Sequence, residues 1–190
     1  QMCIRDRGVA AQNAKPFVIP ELKEWQGKDG AFVPSEKTCI VYGNAALQSI
    51  AEAFAADWKE MFGNALQVKA GKPQAGDFYL TLKKDKKLGK EGYAIAVAKY
   101  VTVSAPETTG VYWATRTLLQ IGEQSDNHAL PHGTVRDWPD YSVRGFMMDC
   151  GRKFIPMAYM RDLVKMMSYY KMNVLQVHLN LSLIHISEPT

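Results

Sequence analysis

Two apolar runs, RGFMMD (144–149) and NVLQVHLN (173–180), flank a helical stretch from Pro156 to about residue 171. Neither run alternates strictly between apolar and polar residues, so each needs cover on both faces. Antiparallel sheets usually leave one face wet, whereas parallel strands joined by crossover helices are covered on both. Pro156 suits the first turn of the intervening helix, where no backbone donor is needed. Residues 144–180 are therefore expected to form one strand, helix, strand unit of a parallel sheet. A single such unit cannot cover its own two faces, so this feature demands more strands around it than these residues supply.

The pattern upstream is different. Phe78, Leu80 and Leu82 alternate with polar neighbours, as do Tyr93, Ile95 and Val97, which is the period of half-buried strands, expected here to be antiparallel. CIVYG (39–43) reads as a short buried strand. Asn44 then offers a helix cap, and Leu47, Ile50, Phe54, Trp58 and Met61 recur at spacings of three and four until Gly63 and Asn64 end the stripe. A second amphipathic helix is expected over 110–124. LKEWQ and AFVP on either side of GKDG suggest an opening hairpin. These elements compose an α+β domain, a sheet with helices packed on one side. VRDWPDYSVRG (135–145) marks its end, because Pro139 forces an extended backbone and removes a donor.

The two ends are expected to be translated sequencing-adaptor DNA and not natural protein, at residues 1–7 and 181–190. LSLIHI (181–186) can be encoded by CTG TCT CTT ATA CAC ATC, and the reverse complement, shifted by one base, reads MCIRDR, which stands at 2–7. The usable message then runs over 8–180. Excluding the ends leaves Cys39 and Cys150 as cysteines and His128, His132 and His178 as histidines, too sparse for a metal-ligand spacing. Both cysteines sit in apolar runs and are read as free thiols. The small residues of GVAAQNAKP (8–16) resemble a signal-peptide cleavage region, so export to a periplasmic or extracellular space is expected. The net charge of +4 is mild. Its Lys-rich part, KKDKKLGK (83–90), is broken by Asp85 and has no interleaved aromatics, which suits a solvated hairpin tip and not a nucleic-acid surface. No apolar run is long enough to span a bilayer.

The stretch from Val143 to Asn180 carries Arg144, Gly145, Asp149, Arg152, Phe154, Lys171, Asn173, His178 and Leu179 in order. That arrangement resembles the opening of the catalytic barrel in family 20 glycoside hydrolases, the β-N-acetylhexosaminidases. GYAIAV, GVYWATRTLLQ and DWPDY are similar to the small α+β domain that precedes the barrel in that family. The resemblance implies an α+β N-terminal domain with an antiparallel or mixed sheet over 8–138, then a truncated (β/α)8 TIM barrel whose first strand, helix and strand occupy 139–180. The family pattern has an Asp directly after Asn180, where Leu181 stands.

The resemblance also implies an activity: removal of terminal N-acetylglucosamine or N-acetylgalactosamine with retention, the substrate's own 2-acetamido oxygen acting as nucleophile. The Asp-Glu pair that orients the acetamido group and protonates the leaving oxygen lies later in the family's barrel, so no catalytic residue falls within this chain and the chain alone is expected to be inactive. No cofactor or metal is implied. By its place in the motif Arg152 would hydrogen-bond the hydroxyls of the terminal sugar, with its fork of fixed donors. Outside the motif, Arg152 reads as a surface cation. His178 is either a pocket residue or a satisfied core histidine. Asp149 supports the site as a partner that holds a neighbouring Arg and not as a proton-transfer group, since a buried carboxylate needs pairing. Arg144 and Asn173 read as structural, and Met147, Met148, Met166 and Met167 as packing. Two rivals stay open: a different barrel glycosidase acting on N-acetylated sugars, and a non-catalytic carbohydrate-binding relative.

Overall fold

The computed structural model describes residues 12–151 and 153–179. The expectations for 1–7, Arg152 and 181–190 fall outside these residues. The chain divides into two compact units, the first ending at Trp138 and the second beginning at Pro139.

The first unit is a seven-stranded sheet with two helices. β1 (Glu24–Phe32), β2 (Cys39–Tyr42), β3 (Gln67–Ala70), β4 (Phe78–Leu82), β5 (Tyr93–Val97), β6 (Val101–Ala105) and β7 (Leu130–Asp137) lie in the order β1-β7-β5-β6-β4-β2-β3. The sheet is mixed. β5 pairs antiparallel with β6 and β7, whereas β4 runs parallel to both β6 and β2, and β2 parallel to β3. The antiparallel expectation for β4 is corrected here, because alternation reports which face is buried and carries no information on a neighbour's direction. For the same reason 83–90 is no hairpin tip: it joins β4 to β5, and β6 lies between them. The expected hairpin around GKDG is instead one strand, β1, whose register against β7 shifts between Gly27 and Ala31. Gly30 takes φ +89 in that bulge, a conformation open to glycine, so the turn-like residues serve a kink within a strand.

Helix α1 (Gln48–Phe62) follows a 3-10 turn at Ala45–Leu47. The Asn44 side chain accepts from the Ala46 N–H at 2.9 Å, and Gly63 closes the helix at φ 80. Leu47, Ala51, Phe54 and Trp58 are fully buried, while Met61, expected in the stripe, is 38% exposed. Phe54, Trp58 and Phe32 each meet Phe78 of β4 with ring centroids 5.3–5.4 Å apart, at edge or tilted angles.

Helix α2 (Thr108–Gly122) was expected to bury one face and instead buries most of its circumference. The sheet lies along one side and α1 along another. An N-terminal strap adds a third: Gln120 accepts from Ile19 N–H at 2.7 Å and donates to Ile19 O at 2.9 Å, and Gln124 donates to Phe17 O at 2.6 Å. Arg116 on α2 reaches Asp57 on α1 at 2.6 Å and lies over the Tyr112 ring. Gly110 permits the close approach of helix and sheet, since a Cβ there would stand 2.3 Å from Gly92 O.

One polar cluster is sealed in this core. Tyr93 donates to Asp137 Oδ2 at 2.5 Å and lies 2.6 Å from the Thr117 hydroxyl on α2, and Asp137 Oδ1 accepts from Lys23 N–H. It joins β5, β7, α2 and the strap. Burial, then the negative charge of Asp137, pushes the Tyr93 hydroxyl well above its usual range. Ionising Tyr93 therefore costs more in the folded chain than in the unfolded one. That stability is full below the unfolded tyrosine value near pH 10 and is lost as pH rises through the folded value.

Two outcomes are expected. Tyr93→Phe should lower unfolding free energy by about 1–3 kcal/mol at neutral pH, because Asp137 loses a buried donor. In urea titrations the wild type should lose more stability above about pH 10 than the variant does; equal alkaline slopes would contradict the assignment. Limited proteolysis should cut between 139 and 143, where Tyr141 and Val143 are 76% and 66% exposed, and leave the first unit intact. Hydrogen exchange protecting 143–179 as strongly as α1 would instead make the chain one cooperative block.

Candidate functional site

The second unit is short: β8 (Gly145–Asp149), α3 (Met157–Tyr169) and β9 (Val174–His178), with β8 and β9 parallel. This is the arrangement that the two doubly apolar runs required. Pro156 precedes α3, and Lys171 turns the chain into β9 with φ 59. Met148 on β8 and Met167 on α3 are buried, while Phe146, Met147, Val174 and Val177 are exposed.

The two ends of this strand pair are built for different work. At the N-terminal end, Asn173 Oδ1 accepts from Arg144 N–H at 2.8 Å and its Nδ2 donates to Ser142 O at 2.8 Å. Arg144 returns the bond, its Nε donating to Lys171 O at 2.7 Å and its Nη1 to Tyr141 O at 2.6 Å. All four contacts reach backbone, so these two side chains serve the fold, as their sequence reading held.

At the C-terminal end, Asp149 and His178 are register partners. His178 Nδ1 lies 3.4 Å from Asp149 Oδ1, and the same oxygen accepts from Gly151 N–H at 2.9 Å. The Cys150 N–H donates to His178 O at 2.9 Å and continues the ladder one step past the strands. Asp149 is thus engaged by both strand ends. The imidazole is 46% exposed and the carboxyl 24%. The turn Asp149 makes with Gly151 was missed in the sequence, although Asp side chains commonly accept from the backbone two residues on. Arg152 lies outside the described residues.

Elsewhere, a shallow groove of about 300 Å³ crosses the sheet face opposite the helices, lined by Ala94, Ala96, Thr102, Ser104, Thr134 and Arg136. Its one charged group, Arg136, is tied to Asp85 at 3.0 Å and Glu24 at 3.5 Å. Among the described residues no group of three or more His, Cys, Asp or Glu is placed to hold a metal ion. Cys39 and Cys150 are free thiols. Among the same residues no helix is long and apolar enough to cross a membrane.

The second unit is a βαβ unit with polar side chains gathered at the C-terminal ends of its parallel strands, the place where α/β folds commonly set their sites. The chain belongs to glycosyl hydrolase family 20: the family's domain 2 matches residues 15–138 and its catalytic domain matches 141–182. A β-hexosaminidase of Vibrio furnissii is 28% identical over 173 residues, 90% of this chain and 27% of that protein. A β-hexosaminidase of Akkermansia muciniphila is 40% identical over 72 residues, 37% of this chain and 15% of that protein. Among solved structures, the N-acetyl-β-hexosaminidase of Streptomyces plicatus superposes with a TM-score of 0.74 at 22% identity, over 89% of this chain and 36% of that one. The β-N-acetylhexosaminidase of Bacteroides fragilis gives 0.69 at 24% identity, over 86% and 33%. The chain spans well under half the length of these relatives.

Asn173→Ala should loosen the second unit without touching its C-terminal end directly. It removes two bonds to backbone, a loss of about 1–3 kcal/mol, and should raise amide exchange across Val174–His178 while leaving α1 unchanged. Unaltered exchange in β9 would show that the clamp does not hold the register.

Proposed function

We propose that the protein carrying this segment is an exported, retaining exo-β-N-acetylhexosaminidase, and that residues 139–180 open its (β/α)8 barrel. The observation that carries this reading is the parallel pairing that sets Asp149 opposite His178 at the strand ends, within a stretch that matches the family's catalytic domain. Active sites of such barrels stand at the C-terminal ends of the strands. Supporting it, one Streptomyces plicatus structure is described with N-acetylglucosamine as product, and one from Vibrio harveyi in complex with the same sugar.

In this reading the terminal N-acetylhexosamine sits over the ends of β8 and β9. Arg152 offers forked, permanently charged donors to its hydroxyls, and Asp149 with His178 completes that wall. The bond-breaking groups are supplied by later strands of the barrel: an Asp that orients the acetamido group and a Glu that protonates the leaving oxygen. The acetamido oxygen attacks the anomeric carbon from the face opposite the departing aglycone and forms a cyclic oxazolinium ion. Water then adds from the face the aglycone left, breaking the bond to the acetamido oxygen, so the two displacements retain configuration. This chain's residues hold the sugar and do no proton transfer on it. Alone, they are a binding wall without an acid.

The purified chain should therefore give no hydrolysis of an aryl N-acetylglucosaminide, whereas the full-length protein should turn it over. In the full-length protein Arg152→Lys should lower kcat/KM by about 10- to 150-fold, since one charged hydrogen bond is worth about 1.5–3 kcal/mol and Lys cannot reproduce the fork. Wild-type kinetics in a folded Arg152→Lys protein would place that residue outside the site. Turnover by the isolated chain would contradict the division of labour.

A further inference from the structure

We propose that Asp149 is a positioning residue that holds His178 in its Nδ1–H form, leaving Nε2 as a hydrogen-bond acceptor at the strand ends. Donors and acceptors decide the tautomer. An ionised carboxylate has only acceptor sites, so the 3.4 Å approach of His178 Nδ1 to Asp149 Oδ1 is attractive only if Nδ1 carries the proton. With the proton on Nε2, two lone pairs would face each other. The Asp149 carboxylate is itself held, because Oδ1 also takes the Gly151 N–H, two residues along the chain. The carboxylate therefore stays fixed while it orients the ring. A neutral imidazole has one donor and one acceptor, and fixing the first assigns the second.

Position supports the same conclusion. Side chains on a strand alternate between faces, so Asp149 and its partner His178 lie on the face opposite buried Met148. The imidazole keeps substantial exposure there, and Nδ1 is engaged with the carboxylate. Nε2 is then the atom available to a ligand. Resting on the function proposed above, that ligand is a hydroxyl of the terminal sugar, which donates to Nε2.

The test separates the two readings. In the chain labelled with ¹⁵N-histidine, long-range proton–nitrogen correlation at a pH where the ring is neutral should show His178 with its proton on Nδ1. His178→Gln identifies its signals among the other histidines. Asp149→Ala should move the proton to Nε2, the form free imidazole prefers, whereas Asp149→Asn, which keeps a carbonyl acceptor, should retain Nδ1–H; dispersed β9 amide signals verify that each variant is folded. An Nε2 proton in the wild type overturns the proposal, and so does an unchanged tautomer in folded Asp149→Ala. In the full-length protein, Asp149→Ala and His178→Ala should each lower kcat/KM by about tenfold or more, and the double variant should lose no more than the worse single. Multiplicative losses would overturn the coupling. A full-length protein with the Nδ1–H form but no glycosidase activity would sink the functional reading and leave the Asp149–His178 assignment standing.

Discussion

A parallel strand pair has no tight turn to set its register, so something else must decide which residues stand opposite each other. In the second unit that task falls to Arg144 and Asn173, whose side chains bind the backbone around the starts of β8 and β9. Everything at the far end depends on it. A slip of one residue would put His178 on the other face and leave Asp149 facing the wrong neighbour. The motif that looked like a scatter of charged residues thus divides by function: one end of the strands fixes register, and the other end, five residues on, uses it.

The two units differ in how they satisfy their backbones and apolar faces. The first covers one face of its sheet with α1 and α2, fills that interface with Phe54, Trp58 and Phe78, and seals the Tyr93–Asp137–Thr117 cluster beneath α2. The second has two strands and one helix, with Phe146, Met147, Val174 and Val177 still exposed. Parallel strands normally have cover on both faces and neighbours at their edges. The physical demand for further covering elements is therefore visible in the residues themselves, and the chain spans only a small share of the length of its family relatives.

Element types were legible in the sequence where periodicity was strong. The cap at Asn44, the stop at Gly63, the strand around Tyr93 and the βαβ order of the second unit all follow from local chemistry. Neighbour relations were not legible, because period two marks a face and not a partner: β4 proved parallel, and GKDG proved a bulge within β1. α2 looked amphipathic and turned out buried nearly all round, since a strap from residues far upstream closes over it. At the candidate site the residue types were read from a motif. The sequence singled out Asp149 and His178 separately; only the register places them together, and Gly151 was overlooked.

The central claim is that the C-terminal ends of β8 and β9 form part of a sugar site. The most direct measurement is a crystal structure of the full-length protein with N-acetylglucosamine bound. The account predicts sugar hydroxyls within hydrogen-bond distance, about 3 Å, of His178 Nε2 and the Arg152 guanidinium, with Asp149 still on His178 Nδ1. A sugar bound in the barrel with neither His178 nor Arg152 in contact would contradict it.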